Sequence, residues 1–532
     1  MAAFTRRDGG RPVRPSSHPA RWILLSAALA FATGAPGAQT PPAPGASSAG
    51  SVDLDQTLTL DEYIQQVVLR NASAQAAKLQ AEAAGRLVQA ERALYDPLLV
   101  GRVRRELSDR PRTFEEQTSG LTNAGKDSAI EQLGTGSAGL RGKLPSGATF
   151  ELGHEMRRRA SNLLASPDVR ENRGTLTLTI RQPLLRGYGR ASSEADLRVA
   201  EKEQQVESQR FVKQLQELVA DAAGLYWQLY RAERTLQMRE RSVAVARELQ
   251  DEVQRRIDGG FAPRVERLDA ELTLSAREAD RLRSRQLLRE AQARARNLLT
   301  LDSLSAPQWA LQTAEPSPAE PSAEPAGTQT AVPDGLLERA PGYRIARLRL
   351  EQEQIRYEHA RRQERPDLSL EAGLNRNSLT DSSRSGFEQS FSGRHPGHYA
   401  GIALEMPLGN GAARARREGQ GLRRDAARLQ LDAEARTAYN EWAVREGQWR
   451  ASIDELGLLR RELQAREALL AAEQDNYRAG RSRLRQLVEA QDRLDESRLR
   501  QLDAVVRARL ADVSLRAAAG ELFPFFGLRL VE

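Results

Sequence analysis

The stretch TLTLTIRQPLLRGYGR, residues 175–190, joins a strand pattern directly to a helix pattern. Apolar and polar residues alternate through TLTLTIR, which is the period of a half-buried β-strand. A proline then ends the ladder because it has no N–H group to donate, and two glycines precede a long run of helix-forming residues. The stretch IALEMPLGNGAAR, residues 402–414, repeats this order. The sequence therefore predicts strands that continue into long helices.

Matching residues at fixed distances indicate an internal duplication. The junction residues recur 224 residues later: Pro183 as Pro407, Gly187 as Gly411 and Arg190 as Arg414. At the far end of the long helices, Gly260 and Ala270 recur 220 residues later as Gly480 and Ala490. Each half is predicted to contain a helix, a strand, a loop, a strand, a long helix, a turn and a helix.

The predicted helix lengths favour a columnar bundle. At about 1.5 Å of rise per residue, each long helix reaches about 100 Å. The two shorter helices of each half together span about 110 Å and about 100 Å, so that stacked end to end they match the long one. The ranges are 58–94, 191–258 and 263–300 in the first half, and 335–362, 411–478 and 482–520 in the second. In 211–236 the apolar residues follow the spacing of a coiled-coil seam.

Composition excludes several classes of site. Of the 532 residues, 28% are charged and only 5% are aromatic. So few aromatic residues are unusual for a large compact core, and the composition is typical of long helices. The chain has no cysteine, which excludes thiolate metal sites, cysteine nucleophiles, disulfides and an acylated N-terminal cysteine. The net charge of +7 reflects interspersed acidic and basic helix positions with a slight arginine excess.

The N-terminus has the features of an export signal. Five arginines precede or open the apolar run WILLSAALAFATGA, and small residues follow it. We expect cleavage between Ala32 and Ala38, and no other segment has the length and apolarity of a transmembrane helix. The predicted division is a signal at 1–38, a flexible segment at 39–57, a first repeat at 58–304, a Pro/Glu-rich linker at 305–333, a second repeat at 334–520 and a C-terminal tail at 521–532.

The strands have one apolar and one polar face. Leu176, Leu178 and Ile180 alternate with threonines, so that the apolar face would meet the core in a sandwich, or lipid in a membrane barrel whose polar face lines water. We predict two clear strands per half, with an extra hairpin or strand extension at 137–155 left open. Four strands cannot close a barrel, so several chains would have to combine theirs.

The chain resembles TolC-like outer-membrane efflux proteins over about residues 55–520. The resemblance rests on the duplication, the junctions QPLLRGYGR and MPLGNGAAR, and the tip patterns RRIDGGFAPRVERLDAE and NYRAGRSRLRQLVEAQ. It implies a mainly α-helical coiled-coil tunnel, continuous with a trimeric transmembrane β-barrel of twelve strands, four from each chain. It also implies a Gram-negative outer-membrane location, a periplasmic adaptor and an inner-membrane pump or secretion ATPase.

The resemblance also assigns candidate residues. Acidic positions and closing links near the tip would form a periplasmic gate, with Gln486 standing where the family often has a carboxylate. The gate candidates are Glu266, Asp269, Arg483, Arg485, Gln486 and Glu489. The adaptor-contact candidates are Gly259, Gly260, Phe261, Pro263, Gly480 and Arg481. The candidate junction residues are Pro183, Gly187, Arg190, Pro407, Gly411 and Arg414. Ordinary exposed helix charges are the alternative for the gate set.

Motifs for catalysis are missing from the sequence. It contains no P-loop, no G-x-S-x-G and no H-E-x-x-H, and of its five histidines only His395 and His398 are near each other. We therefore predict a duct without enzymatic activity, metal or cofactor. The main alternative is an exported periplasmic coiled-coil spacer, which would need no paired strands. A nucleic-acid-binding coiled coil is disfavoured by the export signal.

Overall fold

The computed structural model describes residues 57–118, 128–163, 170–299, 312–313, 332–392 and 395–528. The predicted export signal, cleavage site and flexible segment lie outside this part of the chain, apart from Thr57. Most of the predicted linker lies outside it as well. Within the linker, Gln312–Thr313 pairs in parallel with Thr57–Leu58.

The elements follow the predicted order, with additions. In chain order they are β1 (Thr57–Leu58), α1 (Leu60–Arg70), α2 (Ala72–Arg92), a 3₁₀ turn (Ala93–Tyr95), β2 (Leu98–Pro111), α3 (Phe114–Thr118), β3 (Ser128–Lys143), β4 (Thr149–Ser161), β5 (Glu171–Pro183), α4 (Arg190–Ser193), α5 (Ala195–Asp258), α6 (Val265–Leu298), β6 (Gln312–Thr313), α7 (Leu336–Arg339), α8 (Pro341–Gln363), β7 (Asp367–Thr380), α9 (Ser383–Phe391), β8 (Pro396–Glu405), α10 (Gly411–Arg478), α11 (Leu484–Ala519) and α12 (Leu522–Phe525).

The predicted long helices are confirmed as α5 and α10. The single helix predicted over 58–94 is divided at Asn71, whose side chain accepts hydrogen bonds from the N–H groups of Ser73 and Ala74 and so caps α2. Residues 521–528 of the predicted tail form α12 and its flanks, and Leu522 is fully buried in the core.

The short helices meet end to end beside the long ones, as predicted. The Tyr63 hydroxyl donates to the Ala295 carbonyl at 2.9 Å, and the Asn71 amide donates to the Leu298 carbonyl at 2.8 Å, so the end of α6 meets the start of α1 and α2. In the second repeat, Leu336 packs with Ala519 where α11 ends. Each repeat thus contributes two columns of similar length.

The four columns form an open wall. In the half of the wall nearer the strands, α2 packs on α5, α5 on α8 and α8 on α10. In the half nearer the helical tips, the order across the wall is α6, α5, α11 and α10. The main core surrounds α5 and includes Trp227, which is only 2% exposed. The column of α2 and α6 forms one edge of the wall, and α10 forms the other.

At one end of the wall lies a six-stranded antiparallel sheet with the order β2-β3-β4-β5-β7-β8. Residues 137–155 fall in β3 and β4, which pair with β2 and β5 over nearly their full lengths. The four strands per chain implied by the resemblance are therefore wrong for this chain. Both additional strands belong to the first repeat, and the sequence underestimates them because β3 is rich in Gly and Ser rather than in β-branched residues.

The two faces of the sheet differ in chemistry, as predicted. The register places Leu99, Leu140, Leu152, Leu178 and Leu374 side by side on one face, which we call the apolar face. With the exception of Asp109, every carboxylate of the six strands lies on the opposite, polar face. Helix α9 packs on the apolar face at the end of the sheet farthest from the long helices, where Ser390 hydrogen-bonds His154 at 2.9 Å.

None of the described helices combines the length and the apolarity needed to cross a membrane.

Candidate functional site

The first strand-to-helix junction is a hydrogen-bonded turn. Pro183 ends β5, and the next residue, Leu184, donates its N–H to the Leu368 carbonyl at 2.7 Å. Gly187 and Gly189 have φ of +81° and +79°, a region that is strained for residues with a Cβ atom. The chain turns there and enters α4 and α5.

The second junction is shorter. Gly409 and Asn410 have φ of +96° and +42°, and Asn410 donates its side-chain amide to the Glu364 carbonyl at 2.7 Å. Gly411 is already the first residue of α10. Gly187 and Gly411 match in sequence but not in conformation, because the first junction needs more residues to reach its helix.

Charge pairs reinforce both junctions. Arg190 lies 3.7 Å from Glu194, the residue between α4 and α5, while Arg414 lies 3.9 Å from Glu364 across the second junction. Arg417 pairs with the same Glu364 at 2.8 Å, so one carboxylate holds the start of α10 to the end of α8. Pro407 lines a cavity of about 670 Å³ at this junction.

The two helical tips have the same backbone design. Gly260 and Gly480 have φ of +77° and +70°, and the residues after them, Phe261 and Arg481, donate N–H groups back to carbonyls five residues earlier. This is a Schellman ending, which uses a glycine because the left-handed conformation crowds a Cβ atom. Phe261 is 80% exposed. The tips therefore differ in what they present, an aromatic ring in one repeat and an arginine in the other.

The predicted gate residues lie close to these tips. Arg485 and Glu489 form a 3.1 Å ion pair within α11. The Gln486 side-chain oxygen accepts from the Arg483 N–H at 3.2 Å and closes the start of the helix. The bonds described for Arg483, Arg485, Gln486 and Glu489 therefore stay within the start of α11, while Glu266 and Asp269 lie in the first turns of α6. The role of all six as gate residues stays a prediction.

Other side chains join the two helical hairpins near the tips. The Arg256 guanidinium of α5 lies 4.4 Å from the centre of the Tyr477 ring on α10 and donates to the Tyr477 carbonyl at 3.2 Å. Further along, Arg277 of α6 is ion-paired with Asp492 of α11. Ser242 of α5 donates to Asp495 of α11 at 2.9 Å. These contacts link the first repeat to the second.

A small buried cluster supports these links. Val253, Ala270, Tyr477 and Leu484 pack together, one from each of the four tip helices. Burial raises the pKa of the Tyr477 phenol, opposed by the nearby Arg256 charge. The phenol therefore stays neutral at physiological pH, and Arg256 retains an uncharged ring to stack on.

Sequence reasoning missed these cross-repeat links. An aromatic residue in the tip pattern, Tyr477, stands where the first repeat has Ile257, and that difference was an available signal. No comparable signal marks Arg277 or Asp492, because their partners are set by how the hairpins pack. Among the described residues, no group of three or more His, Cys, Asp or Glu side chains is arranged to hold a metal ion.

Solved structures share this fold. The structure of CusC aligns with a TM-score of 0.62 at 16% identity, covering 87% of this chain and 92% of that chain. The outer-membrane channel OprN aligns with a TM-score of 0.63 at 17% identity, covering 88% of this chain and 91% of that chain. The Campylobacter jejuni CmeC outer membrane channel aligns with a TM-score of 0.62 at 12% identity, covering 87% and 86%. No curated protein sequence matches the chain.

The family comparison covers both repeats. A model described as "Outer membrane efflux protein" matches residues 149–300 and 332–521, which is more than half of the chain. The first matched segment covers the later part of the first repeat and the second covers the second repeat, and the unmatched gap at 301–331 overlaps most of the predicted linker. The chain therefore belongs to the outer membrane efflux protein family.

Proposed function

We propose that the protein is the exit duct of a tripartite efflux or type I secretion system, working as a homotrimer in the outer membrane of a Gram-negative bacterium. The observation that carries this proposal is the two-faced sheet that continues into long helices. A charged face suits a water-filled lumen and an apolar face suits lipid. The helices extend the same wall into the periplasm, where its far end meets the rest of the export system.

The polar face is organised by ion pairs between strands. Arg110 of β2 lies 3.6 Å from Glu131 of β3, which also pairs with Arg159 of β4. Arg159 in turn lies 3.5 Å from Glu171 of β5. Paired charges that line a lumen keep contact with water and hold neighbouring strands in register. A soluble spacer would gain nothing from such a face opposite an apolar one that α9 covers only in part.

The tips are the adaptor-contact sites in this proposal. Phe261 and Arg481 project from rigid glycine turns, so an adaptor would find one aromatic and one cationic anchor on each protomer. Aromatic and arginine side chains are the commonest strong contacts at protein interfaces. The partner supplies the energy of transport, because a duct needs no catalytic residues of its own.

The gate lies just above the tips. Glu266, Asp269 and Glu489 contribute carboxylates around the narrowing tunnel, with Gln486 as an uncharged member. The links from Arg256 to Tyr477 and from Arg277 to Asp492 hold the hairpins of one protomer together in this resting arrangement. Opening requires these links to break so that the hairpins separate.

A matched pair of substitutions on β5 tests the membrane orientation. Leu178→Arg places a charge on the apolar face and Thr177→Arg places the same charge on the polar face one residue away. An arginine facing lipid costs about 2–4 kcal/mol near the bilayer midplane. We expect Leu178→Arg to lose most of the trimer from the outer-membrane fraction, and Thr177→Arg to retain it, as measured by native mass after extraction in mild detergent.

The alternative spacer protein predicts a different result. It would be released without detergent as a soluble monomer or dimer, and Leu178→Arg would leave it folded and equally abundant. That outcome would exclude the duct.

A further inference from the structure

The sheet has two open edges, and their geometry identifies what covers them. We propose that β2 of one protomer pairs with β8 of the next, and that three protomers close a barrel of eighteen strands, six from each chain. This inference rests on the proposed trimeric duct and specifies its wall.

The additional hairpin β3–β4 spans the full height of the wall. Its strands are 16 and 13 residues long, at least as long as a tilted membrane strand requires. Its turn, residues 144–148, docks on the first junction, where the Gly189 N–H donates to the Ser146 carbonyl at 2.9 Å and the Ser193 hydroxyl donates to the Pro145 carbonyl at 3.1 Å. The hairpin therefore reaches from the helix junction to the opposite rim.

That docking leaves no space to spare. Gly147 has φ of +89°, and a Cβ atom added there would lie 2.3 Å from the Gly187 carbonyl oxygen. The two glycines allow the hairpin turn and the junction to touch through their backbones. A hairpin that served only as an outer loop would have no such contact at the helix end of the sheet.

The hairpin also continues both faces of its neighbours. Phe150 and Leu152 extend the apolar face, while Glu131 and Arg159 extend the ion pairs of the polar face. Outside the part of the apolar face that α9 covers, lipid and lumen would therefore meet the same surfaces on β3 and β4 as on the other four strands. An unbroken two-faced wall is what a membrane barrel requires.

The two edge strands are complementary. β2 runs away from the helices and β8 runs back toward them, so that the two edges of neighbouring copies meet antiparallel, as every other pair in the sheet does. The structure gives neither edge a second strand partner among the described residues. Their apolar-face residues Val103 and Ile402 are 91% and 72% exposed. A head-to-tail contact of this kind generates a ring when the rotation between neighbouring copies closes, as it does for three copies in this proposal.

The helical wall supports the count of six. Four helical columns spaced about 8–10 Å apart cover about 32–40 Å of circumference per protomer. A strand tilted by about 40° with a spacing of about 4.8 Å occupies about 6 Å of circumference, so six strands cover about 38 Å and four only about 25 Å. Six strands therefore cover about the same circumference as the four helical columns, and the hairpin β3–β4 supplies the two strands beyond four.

Disulfide crosslinking tests the edge contact in the full-length protein. The chain has no cysteine, so any disulfide that forms must involve the two introduced cysteines. Val103→Cys is combined in turn with Ala400→Cys, Ile402→Cys or Leu404→Cys, because directly opposed strand residues are close enough for a disulfide. The control combines Val103→Cys with Leu152→Cys, which lies on the interior strand β4. We expect a covalent trimer for at least one edge pair and none for the control.

A hairpin deletion tests the width of the barrel. The ends of β2 and β5 at Pro111 and Glu171 lie on the same side of the sheet, so residues 112–170 can be replaced by a short Gly/Ser loop. Since barrel diameter grows roughly linearly with strand number, we expect the largest polymer that enters from the extracellular side to shrink in radius by about one third. Polymer exclusion from single channels measures this change.

The outcomes separate this inference from the proposed function. A trimer in the outer membrane that gives no β2–β8 disulfide, or whose polymer cut-off is unchanged by the deletion, would overturn the eighteen-strand wall and leave the duct standing. A closed covalent dimer would also overturn it, since two copies give twelve strands. The absence of any outer-membrane trimer would overturn the duct itself. If the deleted variant does not fold, the crosslinks in the full-length protein decide.

Discussion

The two long helices of the repeats have nearly the same length but different surroundings. α5 has 64 residues and lies in the middle of the wall, where Trp227 is 2% exposed. α10 has 68 residues and lies at an edge, where Leu422 and Leu429 are 72% and 70% exposed. A duplicated sequence pattern therefore does not give duplicated burial. Exposed leucines at heptad spacing on an edge helix mark a surface for another chain.

The largest expected effect comes from removing a tryptophan from each helix. Trp227→Ala removes a ring that packs edge-on against Tyr226 and Tyr230 in the main core. We expect it to lower the free energy of unfolding by about 3–5 kcal/mol, and Trp449→Ala to cost less, because the cluster around Trp449 is smaller. Thermal unfolding in detergent measures both.

Conservative changes provide the control for this comparison. Trp227→Phe and Trp449→Phe keep an aromatic ring at each site and should lose less stability than the alanine variants. Equal losses for the two alanine variants would mean that α10 is as deeply buried in the assembled protein as α5, and the contrast between them would then hold only for the single chain.

A middle-sized effect is expected where the two helices are joined near their tips. Arg256→Gln removes the cation from the Tyr477 ring, and a partly buried cation–π contact contributes about 1–2 kcal/mol. If the link stabilises the closed state, the open-to-closed ratio should rise by about tenfold. Single-channel recording measures the change in open probability.

Neighbouring substitutions distinguish the link from general damage. Tyr477→Leu should reproduce the effect of Arg256→Gln, whereas Tyr477→Phe keeps the ring and should behave like the wild type. Arg255→Gln removes an exposed charge one residue away from Arg256. A similar rise in opening from Arg255→Gln would show that net charge at the tip, rather than the link, controls the gate.

The smallest expected effect concerns a carboxylate that α5 holds inside the wall. Burial raises the pKa of Glu233, despite hydrogen bonds from Thr313 that lower it. The raised pKa means that the stabilising contribution of the protonated acid is fully present below its ordinary pKa, about 4.3, and is lost as the pH rises through the folded-state value. Glu233→Gln should therefore gain thermal stability over the wild type at pH 7 but not at pH 4.

A pH series of melting temperatures decides this. An equal difference between variant and wild type at both pH values would show that Glu233 has the same pKa in the folded and the unfolded protein, which would contradict the rise on burial. Glu441→Gln on α10, at an exposed position, serves as the comparison and should give no difference at either pH.

Much of the architecture follows from the sequence because it depends on local periodicity. The predicted bounds of the second long helix, 411–478, agree with α10. The alternation of leucine and threonine in 175–181 placed Leu178 on the correct face of β5. Both patterns are repeated over enough residues to dominate the preference of any single one.

Isolated positions were harder to assign. Asn71 divides a predicted single helix because its side chain accepts hydrogen bonds from two N–H groups at the start of α2. A single asparagine within a helical pattern is not enough to predict such a cap. The sequence leaves β3 unresolved because its glycines and serines have low strand propensity, and it forms a strand by pairing with β2 on one side and β4 on the other. The cross-repeat links of Arg256 and Arg277 depend on the approach of two hairpins about 220 residues apart in sequence.

The sequence by itself determined the duplication, the long helices, the two-faced strands and the glycine turns at the tips, because each is specified by neighbouring residues through backbone geometry. Only the tertiary structure decided that six strands form one sheet, that α5 is central and α10 peripheral, and which side chains join the repeats. Those features depend on contacts between segments that are distant in sequence. The energy of each such contact depends on which other strands and helices pack beside it.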